Sequence, residues 1–147
     1  MSAIISQKAL YAVRAALELA RHRRSEGPLR MRDIAKAQDI PARFLESILN
    51  QLRRAGLAES VRGPDGGYLL ARPAAAISVG EVIHAVQGPL RAVGATSGRK
   101  RVGKGAEVLA ALWIKAGDAL STVFYETSLQ KLIQEEAEAG GGVLYEI

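Results

Sequence analysis

The most restrictive stretch of this chain runs from Met31 to Leu70, where two helical patterns joined by a three-residue turn lead straight into a pair of β-compatible segments. The first pattern, Met31 to about Gln38, offers Ile34 and Ala35 as core contacts. Asp39-Ile40-Pro41 forms the turn, and Pro41 suits the first position of a new helix because its missing N–H needs no partner there. From Pro41 to about Ala55, the residues Leu45, Ile48, Leu49 and Leu52 recur at i, i+3, i+4 and i+7, one apolar face of an α-helix. Gly56 is a natural stop. The segments 58–61 and 67–70 then flank Arg62-Gly63-Pro64-Asp65-Gly66, where proline fixes φ and Gly66 is expected to supply a positive φ. This reads as a two-stranded hairpin, and because a lone hairpin is barely stable in water it must lean on the helices.

Helical patterns surround this unit. Ser6 opens the first, with Leu10, Val13, Leu17 and Ala20 at three- and four-residue steps. It ends in Arg21-His22-Arg23-Arg24, a basic run suited to the negative end of the helix dipole, before Ser25-Glu26-Gly27-Pro28 breaks it. Ser78-Val79-Gly80-Glu81 has the S-x-x-E form of a capping box and starts a helix that ends at Gly88-Pro89. Residues 91–105 are glycine-rich and basic and read as a flexible loop. A long helix follows from about Ala106 to Glu126, then a last one from about Leu129 to Ala139, three glycines and the apolar tail Val143-Leu144-Tyr145. Hydrophobic residues make up 48% of the chain but aromatics only 5%, so Ala and Leu, both helix formers, must fill most of the interior. The expected fold is mainly α with a small β-hairpin: a winged helix-turn-helix domain over 1–90, a loop over 91–105, and a dimerisation helix with C-terminal segment over 106–147.

The charge is divided unevenly. Residues 1–72 hold 13 Lys/Arg against seven Asp/Glu, whereas 73–147 hold seven against eight. A basic half joined to a near-neutral one suits a polyanion-binding module beside a module with another task. There is no cysteine, which excludes disulfides, thiolate metal sites and cysteine nucleophiles. No Ser-His-acid spacing, metal-ligand cluster or phosphate-cradling glycine loop is present, so an enzyme is not expected. Neither a signal peptide nor an apolar run long enough to span a bilayer is expected, which points to a cytoplasmic protein without membrane contact.

Helix, short helix, turn, helix, hairpin is an order suited to B-form DNA, whose major groove admits one helix reading base edges from its N-terminal residues. At the start of the third helix, Arg43 suits guanine or phosphate, Glu46 suits cytosine N4 and Phe44 a thymine methyl; equally, Phe44 suits the core and Glu46 a neighbouring arginine. Arg62, at the shoulder of the hairpin, suits a narrow minor groove, with Gly63 and Gly66 beside it in the same contact. Lys8, Arg14, Arg30 and Arg32 suit phosphate contacts or ordinary surface charge. On the long helix, Leu109, Leu112, Trp113, Ala116, Leu120, Val123 and Phe124 form a stripe that calls for a partner helix, in part within the chain and in part on a second copy.

The words Ser6-x-Lys8-x-x-Tyr11-Ala12-x-Arg14, Asp33-Ile34-Ala35, Phe44-Leu45-Glu46 and Leu52-Arg53-Arg54-Ala55-Gly56-Leu57 resemble the Rrf2 family of transcription regulators. So, more specifically, does the run from Val61 to Pro73 followed by Ile77-Ser78-Val79-Gly80-Glu81-Val82-Ile83 and Gly88-Pro89-Leu90. The resemblance covers about residues 5–90 strongly and the Trp113 helix more weakly. It implies a homodimer joined through the long helix, binding partly palindromic promoter DNA, with base contacts from Arg43, Phe44, Glu46 and Arg62; a repressor is expected, with activation left open. Arg43 departs from the small hydroxyl residue common there. Cluster-binding members carry three cysteines between the fourth and long helices; this chain has none, so a thiolate-held iron–sulfur cluster is excluded and no cofactor is expected. His22 and His84 are too few and too far apart in sequence to replace it, and His84 is expected on the surface. The same fold used only for protein or RNA contacts is the alternative, and an effector, small molecule or protein, is left open.

Overall fold

The computed structural model describes residues 4–90 and 103–140, so the basic stretch 91–102 and the apolar tail at 143–145 lie outside the described residues. Six helices are present among them: α1 (Gln7–Arg21), α2 (Met31–Gln38), α3 (Ala42–Arg54), α4 (Val79–Gln87), α5 (Ala106–Tyr125) and α6 (Leu129–Gly140). The strands β1 (Ala58–Val61) and β2 (Gly67–Leu70) pair antiparallel, with Ala58 opposite Leu70 and Val61 opposite Gly67. The architecture is a helix-turn-helix with a two-stranded wing, as the sequence pattern requires.

Sequence chemistry sets the ends of these helices. The Ser6 hydroxyl accepts the Ala9 N–H at 3.0 Å and opens α1. The turn between α2 and α3 depends on Asp39, the one non-glycine among the described residues with positive φ (51°), a conformation a short polar side chain tolerates. Pro41 caps α3 from outside, so Ala42, not Pro41, is its first helical residue; the proline lies one position earlier than its missing N–H suggested. At α4 the capping box is complete: Ser78 Oγ accepts the Glu81 N–H at 3.1 Å, and Glu81 Oε2 accepts the Ser78 N–H at 2.9 Å.

The core lies where α3 meets α1. Leu45, Ile48, Leu49 and Leu52 are all buried, and so are Ala12, Ala15, Ala16 and Leu19 of α1. The inward face of α1 is therefore its alanine stripe. Leu10 is exposed, whereas Val13, Leu17 and Ala20 are partly buried and pack against the core, so the expected stripe holds at three of its four positions while the alanines go deepest. The reason is steric, because small side chains let two helix backbones approach closely. Ile34, Ile40, Leu57, Ile77, Val82 and Leu129 complete the cluster, which so draws in α2, α4 and α6.

The wing does lean on the body. Leu29 exchanges backbone hydrogen bonds with Tyr68 (2.9 and 2.7 Å), adding a one-residue third rung that the sequence reading missed. The turn glycines also divide their work differently from the expectation. Positive φ falls on Gly63 (109°), not on Gly66. Gly66 is required for space: a Cβ there would stand 2.1 Å from the Val61 carbonyl oxygen.

Beyond the winged unit, α5 is anchored by its C-terminal end. A Cβ on buried Gly80 would come within 2.6 Å of the Tyr125 ring, so glycine lets that ring lie against α4. Val79 N–H donates to the Thr127 carbonyl at 2.8 Å and Leu129 N–H to that of Ile77 at 2.9 Å, fixing the α5–α6 corner. Arg21 bridges α1 to α6 through Nε and a terminal nitrogen on Glu136 (2.9 and 2.6 Å). At 20 residues, α5 is long and apolar enough by length and composition to cross a bilayer, against the expectation that no such run exists. Its charged residues are too sparse to break the run, and Lys115 and Asp118 sit in its middle.

Two outcomes follow from this geometry. Gly66→Ala cannot keep the hairpin turn, so amide exchange at residues 58–70 should accelerate while the far-UV helical signal stays at the wild-type level. Glu81 supplies the second. Burial pushes its carboxyl up, but hydrogen bonds from Arg72 and Ser78 and the Arg72 charge outweigh it and hold the group below the usual carboxylate range. A depressed folded-state pKa stabilises the fold above the unfolded pKa, and that contribution is lost as pH falls through the folded one. Glu81→Gln should therefore flatten the acid limb of a urea-midpoint against pH profile, with little change in its slope near neutrality.

Candidate nucleic-acid interface

Burying one side of α3 determines what the other side shows. With Leu45, Ile48, Leu49 and Leu52 inward, Arg43, Glu46 and Ser47 are exposed and Asn50 is half-buried. Together with Tyr68 of β2 they line one open cleft of about 590 Å3. Arg43, Ser47 and Asn50 are spaced i, i+4, i+7, diametrically opposite the leucine stripe. The sequence reading named Arg43 and Glu46 but missed Ser47, Asn50 and Tyr68. Continuing the polar stripe by one turn would have found the first two, whereas Tyr68 is brought there by the wing pairing and has no local signal.

Phe44 is turned inward. It is half-buried against the main core, with its ring 5.6 Å from that of Tyr11, and Arg43 lies over its outer face with Cζ 5.0 Å from the ring centroid. The aromatic thus supports Arg43 by a cation–π contact of about 0.5–1 kcal/mol at an exposed site. Lys8 Nζ donates to Ser47 Oγ at 2.8 Å, which places a cation from α1 beside the same helix face.

The basic residues fall into two sets. Arg14 is half-buried, donates to the Gln38 carbonyl oxygen and stacks over Tyr11 at 5.3 Å; Arg30 donates to the Pro64 carbonyl at 2.8 Å and lies 3.9 Å from Asp65, pinning the wing turn to the start of α2. Both work within the fold. Arg32, Arg43 and Arg62 are exposed, and none forms an ion pair among the described residues. Arg62 follows the last residue of β1, with exposed Gly63 next to it and Gly66 tucked under the turn.

On α5 the expected stripe divides. Leu109, Leu112 and Val123 are exposed, whereas Trp113, Ala116, Leu120 and Phe124 are half-buried, and Phe124 packs on Ala9, Val79 and Ile83. Val108, Ile114 and Tyr125 are further exposed apolar residues that the sequence reading left out. His84 is exposed on α4.

Comparison with known proteins agrees with this fold. Residues 5–135 match the family model Rrf2, described as an iron-dependent transcriptional regulator. The chain is 39% identical over 135 residues to the HTH-type transcriptional regulator IscR of Photorhabdus laumondii, covering 90% of this chain and 80% of the relative. Among solved structures, IscR of T. potens superposes with a TM-score of 0.74 at 32% identity over 92% of this chain and 89% of its own. CymR of B. subtilis, titled a global cysteine regulator, superposes with 0.76 at 32% identity over 92% and 98%. Iron does not suit the donors available here: the chain has no cysteine, residues 91–102 contain no His, Asp or Glu either, and among the described residues no three such side chains come together. With its helix-turn-helix, its wing and a family match over nearly its whole length, the chain belongs to the Rrf2 family of DNA-binding transcription regulators and is not an enzyme.

Proposed function

We propose that the chain is a sequence-specific repressor that binds promoter DNA as a homodimer and needs no iron–sulfur cluster. The observation that carries this reading is the convergence of Arg43, Glu46, Ser47 and Asn50 of α3 with Tyr68 of the wing on one open cleft, with Arg43 in no ion pair among the described residues. Side chains on one helix face reach the edges of neighbouring base pairs, and Arg43, propped on Phe44, is suited to the O6/N7 edge of guanine. Arg62 at the wing shoulder suits the minor groove, with exposed Gly63 and tightly turned Gly66 keeping the wing narrow. Arg32 and Lys8 are placed for the phosphate backbone, while Arg14 and Arg30 act by holding the reading elements in position.

The dimer reading rests on α5. Leu109, Leu112, Ala116, Ala119 and Val123 follow alternating steps of three and four, the a/d rhythm of a coiled-coil seam. Leu112 remains 50% exposed, and Val108, Leu109 and Val123 are also exposed, which is more apolar surface than an isolated helix keeps in water. In this division of labour, residues 1–90 read DNA, the basic stretch 91–105 connects, and 106–147 pairs two copies. Two heads then meet successive faces of one duplex, about one helical turn apart. A pair seated on a promoter obstructs polymerase, so repression requires nothing further, and the work is done in the cytoplasm.

Arg43→Ala and Arg62→Ala should each weaken operator binding by about 1–3 kcal/mol, the range for one good base contact. Titration of a promoter fragment by fluorescence anisotropy measures this, and wild-type affinity in both variants would refute the docking geometry. Leu112→Glu places a charge in the seam. Sedimentation should show a dimer for the wild-type chain and a monomer for the variant, with the helical signal retained; an unchanged dimer would move the seam elsewhere.

A further inference from the structure

A second cleft, of about 470 Å3, opens on the side of the molecule formed by the end of α1, the segment leaving β2 and the start of α6. Its lining includes Leu19 and His22 from α1, Arg24, Arg72 and Ala74 around the wing exit, and Gln130 of α6. Such a volume falls in the usual range for small-ligand sites, and the composition is of the usual kind, an apolar wall with a few polar groups. His22 is part of the wall, its Nε2 buried and without a hydrogen-bond partner among the described residues.

The two arginines supply N–H donors. Arg24 donates to the Leu70 carbonyl at 3.0 Å and pairs with Glu59, while Arg72 donates one terminal nitrogen to Glu81 at 2.8 Å. Neither carboxylate lines the cleft. A guanidinium carries five N–H donors, so both retain donors after these bonds. Paired guanidinium groups beside an apolar wall suit an oxyanion attached to a short hydrocarbon body, because planar N–H forks match carboxylate and phosphate oxygens.

We propose that this cleft binds a small organic acid, with its oxyanion on Arg24 and Arg72 and its hydrocarbon part against Leu19 and Ala74. Arg72 also joins the wing exit to the α4 cap through Glu81, so the ligand would touch the joint between wing and α4. Binding is read on the free chain and stands apart from the operator reading.

Thermal unfolding of the purified full chain, at matched ionic strength, with acetate, butyrate, inorganic phosphate or butyl phosphate tests this. Butyrate or butyl phosphate should raise Tm by about 4–5 °C at tenfold excess over Kd; which of the two acts tells carboxylate from phosphate. Acetate and inorganic phosphate should do less. The shift should vanish in Arg72→Gln, which leaves the buried wall untouched. No shift with any of the four, an equal shift from the tail-less acids, or a shift surviving in Arg72→Gln would overturn the proposal.

Discussion

Everything this molecule offers to a partner depends on the packing of α3 against the alanine face of α1. Four buried aliphatic side chains at helical spacing allow α3 only one rotation about its axis. Replacing any of them by alanine would cost about 2–5 kcal/mol, a large share of the stability of a domain this size. The same rotation turns Arg43, Glu46 and Ser47 outward. In the reading proposed above, recognition chemistry and core chemistry are therefore two sides of a single helix, and neither can be adjusted without the other.

The wing is tied to that helix by separate means. Tyr68 pairs with Leu29 through the backbone and lines the α3 cleft, while Arg30 ties the wing turn to the start of α2. These links make helix and hairpin one surface. At the opposite end, Gly80, Tyr125 and the Ser78–Ser128 bridge fasten the C-terminal end of α5 to α4, so the direction in which α5 leaves the domain is set by close backbone contact. In the dimer proposed above, that direction fixes the separation of the two reading surfaces.

Much of this was legible in the residues. Helix limits and the hairpin followed from leucine spacing, the Pro-Asp-Gly turn and the S-x-x-E cap, all of them local signals. What escaped was non-local or counterintuitive. On α1 the expected residues Val13, Leu17 and Ala20 mark the flank of the buried face, whose centre is mostly alanine because small side chains permit close helix approach. The Leu29–Tyr68 rung joins residues 39 apart, and no pattern within either segment announces it. Phe44 was ambiguous between base contact and core, since an aromatic at a helix margin serves either; the ring of Tyr11, contributed by another helix, decides its place. The division of the α5 stripe into intrachain and free residues likewise required knowing where α4 lies.

The central claim is that two identical reading surfaces, each made of α3 and the wing, engage one duplex together. Repeated selection of bound duplexes from a randomised pool, followed by sequencing, tests it most directly. Two inverted copies of one short motif, their centres about 10 base pairs or a multiple of that apart, are the predicted outcome. Enrichment of a lone, unrepeated motif, or no enrichment at all, would contradict it.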